Sequence, residues 1–204
     1  MVILITTSKA GFQIYDVEVN LERKDGLCVV RITDEGFIEV PITGEMMRGA
    51  AQRANDMGEL KNSIRHGQGN LIGFLGEAIS LEAFPHSISC PNYEYDILRN
   101  NSRLEIKSKD RTVKPKLDYE VSVADFNATQ RADFYVFCSL YRPKGFIAPT
   151  VGYVVGYIST GEFKQLARFL KAGDVDPSNG WECKADCWNL PISELHRFNK
   201  LEQV

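Results

Sequence analysis

The chain has 204 residues, 44% of them hydrophobic and 25% charged, with a formal net charge of -3. That is the balance of an ordinary globular protein with one main core, and it argues against a surface coated in positive charge, though not against a local basic patch. The apolar runs, such as 151–158, are too short and too broken by glycine to cross a bilayer, there is no leader-like N-terminus, and the five cysteines are odd in number and scattered. The expectation is a cytoplasmic protein with reduced thiols and no membrane partner.

Along residues 1–42, short bursts of alternating apolar and polar residues (Val2–Ile5, Phe12–Tyr15, Leu27–Ile32, Phe37–Ile42) are punctuated by Lys24-Asp25-Gly26 and Asp34-Glu35-Gly36, which predicts a small β-rich layer. From Gly44 to about Arg65, Met46, Met47, Ala50, Ala54, Met57 and Leu60 recur at helical spacing. His66-Gly67-Gln68-Gly69-Asn70 breaks the pattern and reads as a flexible link. A second helix is expected over 71–84, stopped by Pro85 and carrying Glu77 among apolar neighbours. Two strands follow, 93–98 and 103–109, then a Lys- and Pro-containing loop and a short helix around 122–131. The buried strand 134–138 comes next, then a strand over 151–158, a helix over 161–171, and a turn-rich tail from Gly173 onward in which both tryptophans pack against the body. The fold class is mixed α/β, with an N-terminal β-rich and helical addition over 1–66 and a core with its tail over 67–204.

Chemistry concentrates between Tyr93 and Lys109. Asparagine tolerates a left-handed backbone, so Asn100-Asn101 suits the two central positions of a type I′ hairpin turn. With that tip, Arg99 faces Ser102, Leu98 faces Arg103, Ile97 faces Leu104, Asp96 lies opposite Glu105 and Glu94 opposite Lys107. Alternation then places Tyr93, Tyr95, Ile97, Leu104 and Ile106 on one side, and Glu94, Asp96, Arg103, Glu105 and Lys107 on the other. Two carboxylates across an antiparallel pair, with Cβ atoms roughly 5 Å apart, repel unless a positive charge sits between them. Oxygen ligands of this kind suit magnesium.

Asp96 followed by Glu105-Ile106-Lys107 on the next strand, after a helix bearing Glu77, resembles the PD-(D/E)XK nuclease superfamily with its restriction-endonuclease-like fold. The resemblance implies a core sheet flanked by helices and metal-dependent hydrolysis of phosphodiester bonds in DNA. Asp96 and Glu105 would hold Mg2+ or Mn2+, with the Ile106 carbonyl as a further ligand. Lys107 would orient the attacking water and Glu77 would support the metal or its water. Gln130 is the candidate for the glutamine that some branches place on the helix after the strand pair. Phe134 stands where the branch with a Gln-x-x-x-Tyr signature has tyrosine, and Tyr95 stands where the superfamily's proline would be. The run from Trp181 to Arg197 looks like the ends of phage-encoded members, which implies the host cytoplasm as the site of action. Partners in keeping with this reading are DNA and a second copy of the chain in a homodimer.

Arg99, Arg103, Lys107, Lys109, Arg111, Lys114 and Lys116, against only Glu105 and Asp110 in the same stretch, make a basic edge suited to a phosphate backbone. The rival readings are a catalytically silent nucleic-acid-binding or assembly module of the same fold, an enzyme acting on another phosphate ester, and a structural protein in which Glu94 simply pairs with Lys107. Cys183 and Cys187 with His196 lack an evident fourth zinc ligand and read better as core thiols, and His66 and His86 as capping or surface groups.

Overall fold

The computed structural model describes residues 2–8, 11–17, 30–58, 68–90, 92, 94–125, 130–178 and 180–198. The alternating N-terminal bursts form β1 (Val2–Ser8) and β2 (Gly11–Val17), an antiparallel pair. Most of the Leu27–Ile32 burst lies outside the described residues, and its end is β3 (Arg31–Ile32), which runs antiparallel to β4 (Ile38–Pro41) and ties to it through an Arg31–Glu39 ion pair.

Thr43 caps α1 (Gly44–Met57) by accepting the Met46 N–H at 3.2 Å, and Met47, Ala50, Ala51 and Ala54 turn inward. The helix was expected to reach about Arg65 but ends at Met57. Gly58 adopts φ 64° and returns its N–H to the Ala54 carbonyl, a C-terminal cap that a residue with a side chain adopts less readily. Residues 59–67, including Leu60 and His66, lie outside the described set, as does Gly67 of the expected link. The remainder of that link is helical, because α2 spans Gln68–Ala83. Most of the positions along α2 from Leu71 to Ala83 are buried, the signature of a helix enclosed on several sides. Glu77 is among them.

The rest of the chain supplies β5 (Ile88–Ser89), β6 (Ile97–Arg99), β7 (Ser102–Arg111), β8 (Glu120–Ala124), β9 (Phe134–Tyr141), β10 (Val151–Ser159), α3 (Thr160–Leu166), β11 (Arg168–Leu170) and β12 (Cys187–Pro191). Among the described residues a seven-stranded sheet runs in the order β3-β4-β10-β9-β7-β6-β5, with β7 and β9 parallel and the other neighbours antiparallel. One face carries α2 and a core including Leu75, Ile79, Ile97, Leu104, Val136 and Val154. The opposite core joins Phe37, Phe137, Val155 and Phe163 to Val121 and Leu190 of a three-stranded sheet, β11-β12-β8. The fold is thus mixed α/β. No helix among the described residues is long and apolar enough to cross a membrane.

Several expected elements differ for tertiary reasons. The helix expected around 122–131 is strand β8 up to Ala124, where Val121 and Val123 alternate inward and pair with β12, and 126–129 lie outside the described residues. The helix expected to run to Lys171 ends at Leu166. Ala167 turns extended (φ -72°, ψ 141°) and Arg168–Leu170 joins β12, with Phe169 against Trp188 at 4.9 Å. In both places the partner strand lies far along the chain and overrides local preference. The tail therefore contains β12 and a 3-10 turn at Ile192–Glu194. Trp181 does not pack onto the body as expected: it is 63% exposed, with the Lys184 ammonium over its ring. Strand β4 hydrogen-bonds to β10, and Ile38 and Val40 pack in the same core as α2.

The small sheet is pinned by buried charge. Arg168 reaches Glu120 at 2.9 Å and Asp176 at 2.7 Å, while Asp176 also accepts the Ser178 N–H and hydroxyl and the Asn189 amide. Cys90, Cys138, Cys183 and Cys187 are free thiols, and Cys28 lies outside the described residues. Cys183 and Cys187 face each other at 3.9 Å, whereas His196 is bonded to Glu162 at 3.0 Å.

Candidate active site

The hairpin tip has the predicted form. Asn100 and Asn101 take φ 47° and 65°, and the register pairs Arg99 with Ser102, Leu98 with Arg103 and Ile97 with Leu104. The ladder ends there, so β6 is shorter than the expected 93–98, and Tyr93 lies outside the described residues. Asp96 does not stand squarely opposite Glu105. Its N–H bonds the Leu104 carbonyl at 3.0 Å and its carboxylate accepts the Ile106 N–H at 2.7 Å, so it brackets Glu105 by holding β7 on either side.

Glu105 and Lys107 share one face of β7, and because β9 runs parallel they neighbour Tyr135 and Phe137 of the second core. This face is therefore enclosed rather than open, and Glu105 is only 5% exposed. Lys107 Nζ donates to Glu105 Oε1 at 2.8 Å and to Gln130 Oε1 at 3.0 Å, and the Gln130 amide donates to the same Glu105 oxygen. Glu94 does not reach Lys107; it lies toward Arg131, 3.9 Å away.

Glu77 approaches from α2. The approach depends on Gly76, where a Cβ would overlap the Ser108 hydroxyl of β7, so glycine lets the helix settle directly on the strand. Burial raises the Glu77 carboxyl to about 7, and the charges of Asp96 and Glu105 push the same way against the Arg53 guanidinium, paired with Glu77 at 2.7 Å. Burial likewise raises Glu105 to about 7, with Asp96 adding to the effect and Lys107 and Gln130 opposing it. Asp96 is also raised, again by burial first, against the Ile106 N–H and the charges of Lys107 and Arg53. Three acids thus sit close enough to disfavour one another's ionisation.

The structure brings together Glu77, Asp96, Glu105, Ile106, Lys107 and Gln130. It adds Arg53, which the sequence reading missed: Arg53 borders the apolar stripe of α1 and stacks over Phe74 at 4.1 Å, and an arginine at a stripe's edge carries no signal of its own. The expected basic edge is largely engaged internally. Arg99 is buried, donating to the Pro85 carbonyl and lying over Phe84. Arg103 is paired with Asp133 at 2.7 Å. Lys109 and Arg111 both donate to the Glu120 carbonyl, at 3.2 and 2.7 Å. Lys114 and Lys116 are exposed on the loop after β7.

The donor types fit a hard divalent cation: Asp96 and Glu105, both raised by burial, offer carboxylate oxygens that would gain from a nearby positive charge, and Glu77 feels the charge of both. Among the described residues no group of three or more His, Cys, Asp and Glu side chains forms a ready-made cage. An octahedral ion that keeps several waters needs only one or two protein carboxylates. Comparison with models of known protein families, with curated proteins and with solved structures finds no match.

Proposed function

We propose that the chain is a metal-dependent nuclease of the PD-(D/E)XK type that hydrolyses phosphodiester bonds in DNA, acting in the cytoplasm. The observation that carries this reading is the convergence of Glu77, Asp96 and Glu105, all with raised pKa values, beside a lysine that shares the Glu105 carboxylate with Gln130. Asp96 and Glu105 would hold Mg2+ or Mn2+, with Glu77 supporting the site. When bound, such an ion supplies positive charge that acidifies water and offsets the charge growing on phosphorus.

The chain's own residues supply the rest. Lys107 presents a compact cation with three donors and does not compete for the metal, so it can orient a water and offset developing negative charge. Gln130 holds Lys107 and Glu105 in register with each other, and Arg53 keeps Glu77 in place. Tyr135 and Phe137 beside the pair limit solvent on that side and strengthen the local electrostatics.

A second reading has its own support. Glu105, Lys107 and Gln130 satisfy one another, and Arg99 and Arg103 are committed to internal partners, as in a silent nucleic-acid-binding or assembly module. A cleavage panel on single-stranded, duplex, flapped and branched DNA with and without magnesium decides between them. Magnesium-dependent products that vanish in Asp96→Asn support the nuclease. Binding without cleavage on every substrate supports the silent module.

A further inference from the structure

Next to the carboxylate cluster lies a cleft of about 250 Å³ whose lining includes Gln130, Tyr135, Thr160, Phe163, Lys164 and Trp188. It is continuous with the site through two of these. Gln130 bonds both Glu105 and Lys107, and Tyr135 is the β9 neighbour of Glu105. Whatever occupies the cleft therefore sits one side chain away from the reacting centre.

The lining has two kinds of surface. Tyr135 and Phe163 form a T-shaped aromatic pair at 5.3 Å, and Trp188 adds an indole that is fixed in place, donating its N–H to Asp125 at 2.8 Å and resting on Phe169. A locked indole offers a flat face at little entropic cost on binding. Polar groups line the same space: Gln130, Thr160, whose hydroxyl donates to the Ala132 carbonyl at 3.2 Å, Asp125, which accepts the indole N–H, and Lys164, exposed on the last turn of α3. The volume falls below the ~300–1,000 Å³ usual for sites that enclose whole drug-sized ligands, which favours a single planar ring system over a larger ligand. An aromatic wall, a few hydrogen-bonding groups and one cation at the rim match a nucleobase and its adjoining phosphate.

We propose that this cleft receives one unpaired nucleobase flanking the scissile phosphate, so that the preferred substrate is a strand with unstacked nucleotides rather than an intact duplex. The proposal rests on the nucleic-acid reading of the neighbouring cluster. A base within a duplex has both faces covered by its neighbours, and entry into the cleft would require it to leave the stack, which costs a few kcal/mol. A single strand, flap or bulge has already met that cost.

The test is binding rather than cleavage, measured by fluorescence anisotropy with calcium in place of magnesium. The probe is a short fluorescein-labelled oligothymidylate, compared with the same strand in a duplex, an abasic strand of equal length, and free thymidine monophosphate. The full chain should bind oligothymidylate about tenfold or more tighter than the duplex or the abasic strand, and tighter than the mononucleotide. Trp188→Ala should erase the preference for bases over abasic sites, Trp188→Phe should keep most of it and serve as the folded control, and Lys164→Ala, on an exposed helix face, should weaken all charged strands by several-fold. The proposal is overturned if the wild type does not bind oligothymidylate, if it binds the abasic strand equally well, or if Trp188→Ala, folded, keeps the wild-type preference. Mononucleotide bound as tightly as the strand would overturn it in favour of a nucleotide site. A base preference without metal-dependent cleavage of any DNA would leave the cleft standing while removing the hydrolytic reading.

Discussion

Two regions of the molecule bury acidic side chains together, and they treat them in opposite ways. Around Asp176, burial works against ionisation, yet hydrogen bonds from Ser178 and Asn189 hold its carboxyl down at about 2, and Arg168 bridges it to Glu120. Around Glu105, burial wins: Lys107 and Gln130 crowd one oxygen, Arg53 pairs directly with Glu77, and Glu77 and Glu105 rise to about 7. The first region ties its two acids to one arginine and acts as a clamp between strands, although burial raises the Glu120 carboxyl and leaves one of its oxygens without a hydrogen-bond partner. The second retains an unmet demand for positive charge, in keeping with the metal site proposed for it.

The largest effect should come from the unmet region. Asp96→Asn should lower kcat for magnesium-dependent DNA cleavage by about 100-fold or more with little change in Tm, Lys107→Ala should lower it as far while also destabilising the fold because buried Glu105 loses its ion pair, and wild-type rates in both variants would end the assignment of the site. The reverse split is expected at the clamp. Arg168→Ala leaves two buried acids without their shared cation and should cost about 2–3 kcal/mol in urea unfolding, less than for a fully buried pair because Arg168 is 42% exposed. An unchanged unfolding midpoint would show the clamp to be incidental.

Next comes pH. Glu77 and Glu105 bind protons more tightly folded than unfolded, so between their ordinary value near 4.5 and about 7 the folded state holds the excess of protons and stability falls as pH rises. In metal-free protein Tm should therefore drop from pH 5 to pH 8, millimolar magnesium at pH 8 should restore part of the loss, and Glu77→Gln should flatten the profile by about 1–2 kcal/mol. A Tm that climbs steadily over that range would contradict the unmet-charge reading. The smallest effect is at Gly76→Ala. Helix propensity favours alanine by about 1 kcal/mol, but moving Ser108 to admit the methyl should cost about 1–3 kcal/mol. A net loss near 1 kcal/mol is expected, with cleavage reduced further because Glu77 moves with α2. Unfolding measurements paired with rates would separate the two.

The hairpin was legible in the sequence because its geometry is set by two adjacent residues whose backbone tolerance is local, and the Glu105-Ile106-Lys107 spacing then follows from the pleat. Gln130 was legible as a candidate but not its double contact, which depends on β9 running parallel to β7 and bringing the segment before it alongside. Strand β8 was read as helix because its identity is supplied by β12, more than sixty residues later. The depth of Glu77 was only half visible: apolar neighbours hinted at burial, but the overlap at Gly76 is a property of two surfaces meeting. Arg99 shows the converse, a cation whose type suggested phosphate and whose position turned it toward the Pro85 carbonyl.

The two-asparagine reversal constrains what changes the chain can absorb. Substitutions at Asn100 or Asn101 that keep a left-handed backbone, such as glycine, leave the ladder in phase, whereas adding or removing one residue there would rotate every side chain of one arm through half a turn of the pleat. Asp96 would then exchange places with a core position. Inherited variation at this tip should accordingly run through identity at fixed length, while the loop after β7, with Lys114 and Lys116 exposed, has far more latitude to grow or shrink.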